Sequence, residues 1–327
     1  MQLPSLRQIH QAQELIYRYM PPTPQYAWPL INQRLSAEAW VKHENHTPIG
    51  AFKLRGALLY VTWLKETVPS IAGVVAATRG NFGQGVAMAA RLLGLKAVIF
   101  VPHGNSVEKN RAMIAQGAEL VQHGNDFQAS LECARSFAAE RGLALVESFH
   151  ERLVWGTATF ALELFQAAPP LHRIYVPIGM GSSICGVAAA RNALNLQTEI
   201  VGVTSAACPA YALSFSQRRL VEAPALTRIA DGQACRTPSP EALEIIWAHV
   251  ARIIEVSDEE IAEAMAVFYQ DTHNLAEGAG AAALAAALHE KATLIGKRIG
   301  IVLSGGNVDR ETFIAALTGV FQPARHA

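Results

Sequence analysis

No charge of one sign dominates this sequence. Its 327 residues carry 27 Lys plus Arg against 27 Asp plus Glu, with no long run of like charge. A nucleic-acid binder would show a basic stripe, so the balance argues against that partner. An anionic ligand would have to be held by local devices rather than by the global field. Cysteine is scarce: Cys133, Cys185, Cys208 and Cys235 form no CxxC pair. That spacing suggests neither a disulfide framework nor a thiolate zinc site, and isolated cysteines fit a reducing compartment. Long apolar runs are missing as well. The N-terminus MQLPSLRQIHQAQELIYRYM lacks the apolar stretch of a signal peptide. The most apolar helix-like segment, Leu275 to Leu288, is short and mostly Ala and Gly, which fits a buried core helix rather than a membrane span. The expectation is a cytoplasmic protein with neither nucleic acid nor membrane as a partner.

What is present is apolar sequence, 51% of the residues, enough for a sizeable core. Ser5 to Met20 reads as an amphipathic helix stopped by Pro21 and Pro22. Strands are expected at Ala37–Glu44, Gly73–Thr78, Ala97–Val101, Leu120–Gln122, Leu143–Glu147, Arg173–Pro177, Glu199–Val203 and Arg298–Leu303. Helices are expected at Phe82–Leu93, Val107–Gln116, Asp126–Glu140, Gly156–Ala167 and Ile184–Ala193. The apolar runs of most strands are near-continuous, as in parallel sheets covered on both faces. The alternation of strand and helix implies an α/β fold with mostly parallel twisted sheets flanked by helices.

Four glycine-containing segments fall where α/β folds place ligands. TPIGAFKLRG (Thr47–Gly56) holds Lys53 behind an aromatic; a lysine amine forms Schiff bases best when partly desolvated. TRGNFGQG (Thr78–Gly85) follows a buried strand and would leave backbone N–H groups free at a helix start, fit for a carboxylate or phosphate. PIGMGSSICG (Pro177–Gly186) lacks both the Walker lysine and full GxGxxG spacing, so a compact phosphate cup fits it better than a nucleotide site. SGGNVD (Ser304–Asp309) offers a hydroxyl at a strand end, suited to a flat ring nitrogen.

Together, in this order, the four resemble the serine/threonine dehydratase family of pyridoxal-phosphate (PLP) enzymes, of fold type II. A-F-K-L-R-G stands for the family's S-F-K-x-R-G, TRGNFGQG for S-x-G-N-H-G-Q-G, and PIGMGSSICG for the glycine-rich loop. SGGNVD is unchanged, and TRIADG (Thr227–Gly232) resembles T-I-A-D-G. The resemblance implies that Lys53 carries PLP as a Schiff base, with Phe52 flanking the ring and Asn81 bonding its 3′ oxygen. Gly179, Met180, Gly181, Ser182 and Ser183 would hold the phosphate, and Ser304 would face the ring nitrogen. Thr78, Arg79, Gly80, Asn81 and Phe82 would receive the substrate. The implied reaction takes a small β-hydroxy amino acid of the serine/threonine type to a 2-oxo acid and ammonium. The alternatives are a dehydratase specialised for phenylserine or 3-hydroxyaspartate, a β-replacement enzyme, and a PLP-binding protein without catalysis.

The sequence also departs from the family pattern. Arg79 replaces the serine that family racemases use on the second face of Cα; a permanently protonated arginine is a poor acid–base partner, so efficient racemisation is not expected. Arg79 could instead pair with a second carboxylate. Phe82 replaces a histidine and could favour an aromatic β-substituent. The stretch matching a family divalent-cation site, TSAACPA (Thr204–Ala210), has no carboxylate, so no metal is expected there. His43 and His46 form an H-x-x-H, but residues three apart on a strand point to opposite faces, so ordinary polar positions are expected. Glu277, in E-G-A-G, is expected near the ring, and Asp231 is read as structural. The chain ends soon after SGGNVD, which argues against an added regulatory domain and for a catabolic role. Residues 1–72 and 149–327 are expected to form a large PLP-binding domain. Residues 73–148 would form a small substrate-closing domain, and the resemblance implies a homodimer.

Overall fold

The computed structural model describes residues 1–320. In chain order its elements are α1 (Leu6–Ile16), β1 (Gln25–Ala27), α2 (Pro29–Leu35), β2 (Glu38–His43), α3 (Lys53–Thr67), β3 (Gly73–Ala77), α4 (Asn81–Leu92), β4 (Lys96–Val101), α5 (Val107–Ala115), β5 (Glu119–Gln122), α6 (Phe127–Arg141) and β6 (Ala144–Leu145). They continue with α7 (Glu151–Ala167), β7 (Arg173–Pro177), α8 (Ser182–Ala193), β8 (Glu199–Ser205), α9 (Ala210–Gln217), α10 (Pro240–His249), β9 (Arg252–Val256), α11 (Asp258–Thr272), α12 (Gly278–His289), β10 (Arg298–Leu303) and α13 (Arg310–Thr318).

Two sheets result. The larger has the order β1-β2-β10-β7-β8-β9, with only the edge pair β1–β2 antiparallel. The smaller has the order β5-β4-β3-β6 and is parallel throughout. The fold is α/β, as the near-continuous apolar runs imply. In β7, Tyr175 faces one core with Val201 and residues of α11 and α12; Ile174 and Val176 face another with α7, α8 and α10. In β10, Ile299, Ile301 and Leu303 belong to the first core and Val302 to the second. The small sheet repeats the arrangement. Val74 and Ala76 pack toward α3 and α4, while Val75 and Ala77 pack toward α6. Side chains buried on both faces erase the period-two alternation, and each large aliphatic group contributes about 1.5–3 kcal/mol.

Two local expectations are corrected. Helix α8 starts at Ser182 rather than Ile184, directly behind Gly181. His43 and His46 do not point apart: Glu44–His46 is a 3₁₀ turn, which nearly eclipses residues three apart, and their rings lie 5.2 Å apart. His43 is buried and its Nε2 accepts from Trp28 Nε1 at 2.9 Å. Burial pushes its imidazole down to about 4. Among the described residues no group of three or more His, Cys, Asp or Glu side chains could hold a metal. No described helix is long and apolar enough to cross a membrane.

Candidate active site

The loops that follow β2, β3, β7 and β10 at their carboxyl ends converge on one cavity of about 610 Å³. Every position singled out from the sequence lines it: Phe52 and Lys53, Thr78 to Phe82, Gly179 to Ser183, and Ser304.

Lys53 is the first residue of α3. Its backbone is fixed from below by a buried ion network two residues further on. Arg55 Nε bonds Glu44 Oε2 at 2.8 Å, and its Nη1 bonds Glu163 Oε1 at 2.6 Å. Lys42 Nζ reaches Glu163 Oε2 at 2.6 Å. Two buried cations and two buried carboxylates thus pair with one another, which is the condition for burying charge. The Lys53 amine opens into the cavity, 4.6 Å from the Phe52 ring centroid, and has no hydrogen-bond partner among the described residues. Burial lowers it to about 8, against the opposing pull of Glu277.

On the β7 side, Gly181 caps α8 with φ +97, a conformation that favours glycine. Gly179 presses against the chain so closely that a Cβ would lie 2.3 Å from Gly232 O. No side chain caps α8, so its first N–H groups face the cavity as an anion site. Ser304 is buried, and its hydroxyl makes no hydrogen bond among the described residues.

On the β3 side, the Thr78 hydroxyl accepts from the Gly80 and Gly83 N–H groups at 3.0 and 3.4 Å, shaping the turn into α4. Asn81 Nδ2 donates to Glu277 Oε1 at 2.6 Å, and Asn81 Oδ1 accepts from Asn307 Nδ2 at 2.8 Å. Glu277 is the N-cap of α12, buried, with Lys109 Nζ 3.6 Å from its Oε2. Burial raises its carboxyl to about 7; Lys109 pulls it down and Asp231 pushes it up. Asp231, read from the sequence as structural, is a cavity residue, bonded by Lys109 Nζ at 2.5 Å. Arg79 is half-buried on the cavity wall, and Phe82 is buried, lining the cavity while packing into the core beside α4.

A profile described as "Pyridoxal-phosphate dependent enzyme" matches residues 16–305. The chain belongs to this family of pyridoxal-phosphate-dependent enzymes. An L-threonine ammonia-lyase of Geobacter sulfurreducens is 37% identical over 284 residues, spanning 86% of this chain and 70% of that one. An L-threo-3-hydroxyaspartate ammonia-lyase of Saccharomyces cerevisiae is 32% identical over 318 residues, 97% of each chain. The structure of maize serine racemase superposes with a TM-score of 0.89 at 28% identity, covering 98% of each chain. PLP is therefore the cofactor, and fold type II the architecture. The residues fit it: an unpartnered amine for the aldehyde, an uncapped helix start for the phosphate, and an unpartnered buried hydroxyl for the ring nitrogen.

Reasoning from sequence passed over Lys109 and Asn307. Asn307 stood inside SGGNVD and could have been singled out as an amide beside the serine. Lys109 gave no signal, because its partners lie more than a hundred residues away.

Proposed function

We propose that this PLP enzyme is an ammonia-lyase that removes the β-hydroxyl and the amine of a small β-hydroxy amino acid, releasing a 2-oxo acid and ammonium. Serine would give pyruvate and threonine 2-oxobutanoate. The observation that carries the reading is the placement of one neutralisable amine, Lys53 Nζ, in the same cavity as two helix starts that can each bind an anion.

In this reading the backbone N–H groups from Gly179 to Ser183 would hold the cofactor phosphate, and Ser304 Oγ would serve the ring nitrogen. When bound, PLP supplies an electron sink for the charge left at Cα. Lys53 would hold the cofactor at rest, and its Nζ, when free, would be the base for the Cα proton, a task that suits an amine lowered to about 8. Thr78, Gly80 and the first turn of α4 bind the α-carboxylate. Asn81, aligned by Glu277 and Asn307, would bond the cofactor's ring oxygen, and Phe52 would flank the ring. Residues 73–148 act as the smaller lobe, closing over the substrate against the lobe formed by 1–72 and 149–327 and excluding water. We further infer a cytoplasmic homodimer.

Ammonia release from serine, threonine and related β-hydroxy amino acids tests the reading. Turnover by the parent, with complete loss in Lys53→Ala together with the visible absorbance of the bound cofactor, is the expected result. Ammonia release that survives in Lys53→Ala would refute it.

A further inference from the structure

Among the described residues five cationic side chains line the cavity, and four have a use. Lys53 receives the cofactor. Lys109 is paired with Asp231 at 2.5 Å, Arg236 with Asp126 at 3.1 Å and Arg135 with Glu147 at 3.3 Å. Arg79 has no carboxylate and no hydrogen-bond acceptor among the described residues, although it is half-buried. A guanidinium taken partly out of water without a partner costs free energy unless a ligand supplies one. Its place in the chain narrows that ligand. Arg79 stands between Thr78 and Gly80, the two residues that shape the start of α4. A substrate whose α-carboxylate sits on that turn has its β-carbon substituent in the same cavity that Arg79 lines.

We propose that Arg79 binds a second carboxylate on the substrate, so that the preferred substrate is a β-hydroxy amino acid with an acidic β-substituent. Arginine's planar fork matches a carboxylate bidentately and rejects a methyl group, which leaves it unpaired. Phe82 makes the case for an aromatic substituent weaker, since it is buried and packs into the core while lining the cavity. The inference rests on the ammonia-lyase reading, and its test separates the two.

Holoenzyme is assayed for ammonia release from L-threo-3-hydroxyaspartate, L-threonine and L-threo-phenylserine, in the parent, Arg79→Ser and Arg79→Lys. The parent should show its highest kcat/KM with 3-hydroxyaspartate. The ratio of that value to the threonine value should fall about 10- to 100-fold in Arg79→Ser and recover in part in Arg79→Lys. A preference for threonine or phenylserine, or an equal loss on all three substrates, overturns the proposal. L-Aspartate, which has no β-leaving group, is also titrated calorimetrically into the parent and Arg79→Ser. If neither these three substrates nor L-serine releases ammonia, the ammonia-lyase reading falls. The titration then decides Arg79 alone: weaker binding in Arg79→Ser upholds the carboxylate contact, and unchanged binding removes it.

Discussion

Lys109 Nζ meets Asp231 Oδ2 at 2.5 Å on the lining of the cavity, and so ties α5, beside the four-stranded sheet, to the segment that holds Asp231. The same ammonium lies 3.6 Å from Glu277 Oε2. Ser106, the N-cap of α5, donates to Asp309 Oδ1 at 2.5 Å and strengthens the tie. Burial disfavours the Lys109 charge, but Asp231 and then Glu277 outweigh it and hold the amine above its ordinary value.

Replacing Lys109 by Met leaves two carboxylates facing each other without a cation. kcat/KM should fall about tenfold or more. Because Asp231→Asn removes one of those carboxylates, the double variant should lose less than the product of the two single losses. Steady-state kinetics of the four proteins measures the coupling. Strictly multiplicative losses would show that the pair does not act as a unit.

The Lys53 amine makes a pH prediction with a definite sign. Only the neutral amine attacks an aldehyde, and an ordinary lysine reaches half neutrality near pH ~10.4. Burial brings Lys53 to about 8. The rate at which apoenzyme takes up PLP should therefore rise between about pH 7 and 9 and then level off. Stopped-flow absorbance over that range reads it directly. A rate still climbing steeply above about pH 10 would mean that the amine is not desolvated.

Most strands of this fold are legible because apolar side chains fill both faces of β3, β7 and β10, leaving short unbroken runs bounded by Gly, Pro and Thr, whereas the edge strands β1 and β9 gave no such run and were not expected. Helix α3 was not. Leu54, Gly56, Ala57, Leu58, Leu59, Tyr60 and Val61 are all buried, so no polar stripe marks a helical period. The His43–His46 contact was misjudged because the strand stops at His43 and a 3₁₀ turn takes over. At the site, each glycine loop was visible by local chemistry. The Lys109–Asp231–Glu277 cluster was not, since it exists only once distant segments meet.

Metal chelation should leave turnover unchanged. The loop that follows β8 runs through Ala206 and Cys208 with no carboxylate between Thr204 and Ala210. Hard cations need several oxygen ligands. Assays with and without excess EDTA are the check; loss with EDTA and recovery with magnesium would place a cation elsewhere in the enzyme.

Glu163 carries the last prediction. Its carboxyl lies below the usual carboxylate range, since Arg55 and then Lys42 outweigh the opposing effect of burial. A carboxylate depressed on folding stabilises the protein above its unfolded value, and this contribution is lost as pH falls toward the folded one. Glu163→Gln leaves Arg55 and Lys42 buried with Glu44 as their only carboxylate. The cost should be about 3–5 kcal/mol near pH 7, read by denaturant unfolding. The gap between parent and variant should narrow below about pH 4, where the Glu163 carboxylate of the unfolded parent begins to take up its proton while the folded one still resists. Because Arg55 sits in the first turn of α3, two residues from Lys53, the variant should also hold PLP less tightly at neutral pH. A variant as stable as its parent at pH 7 would mean that the network does not anchor the lysine.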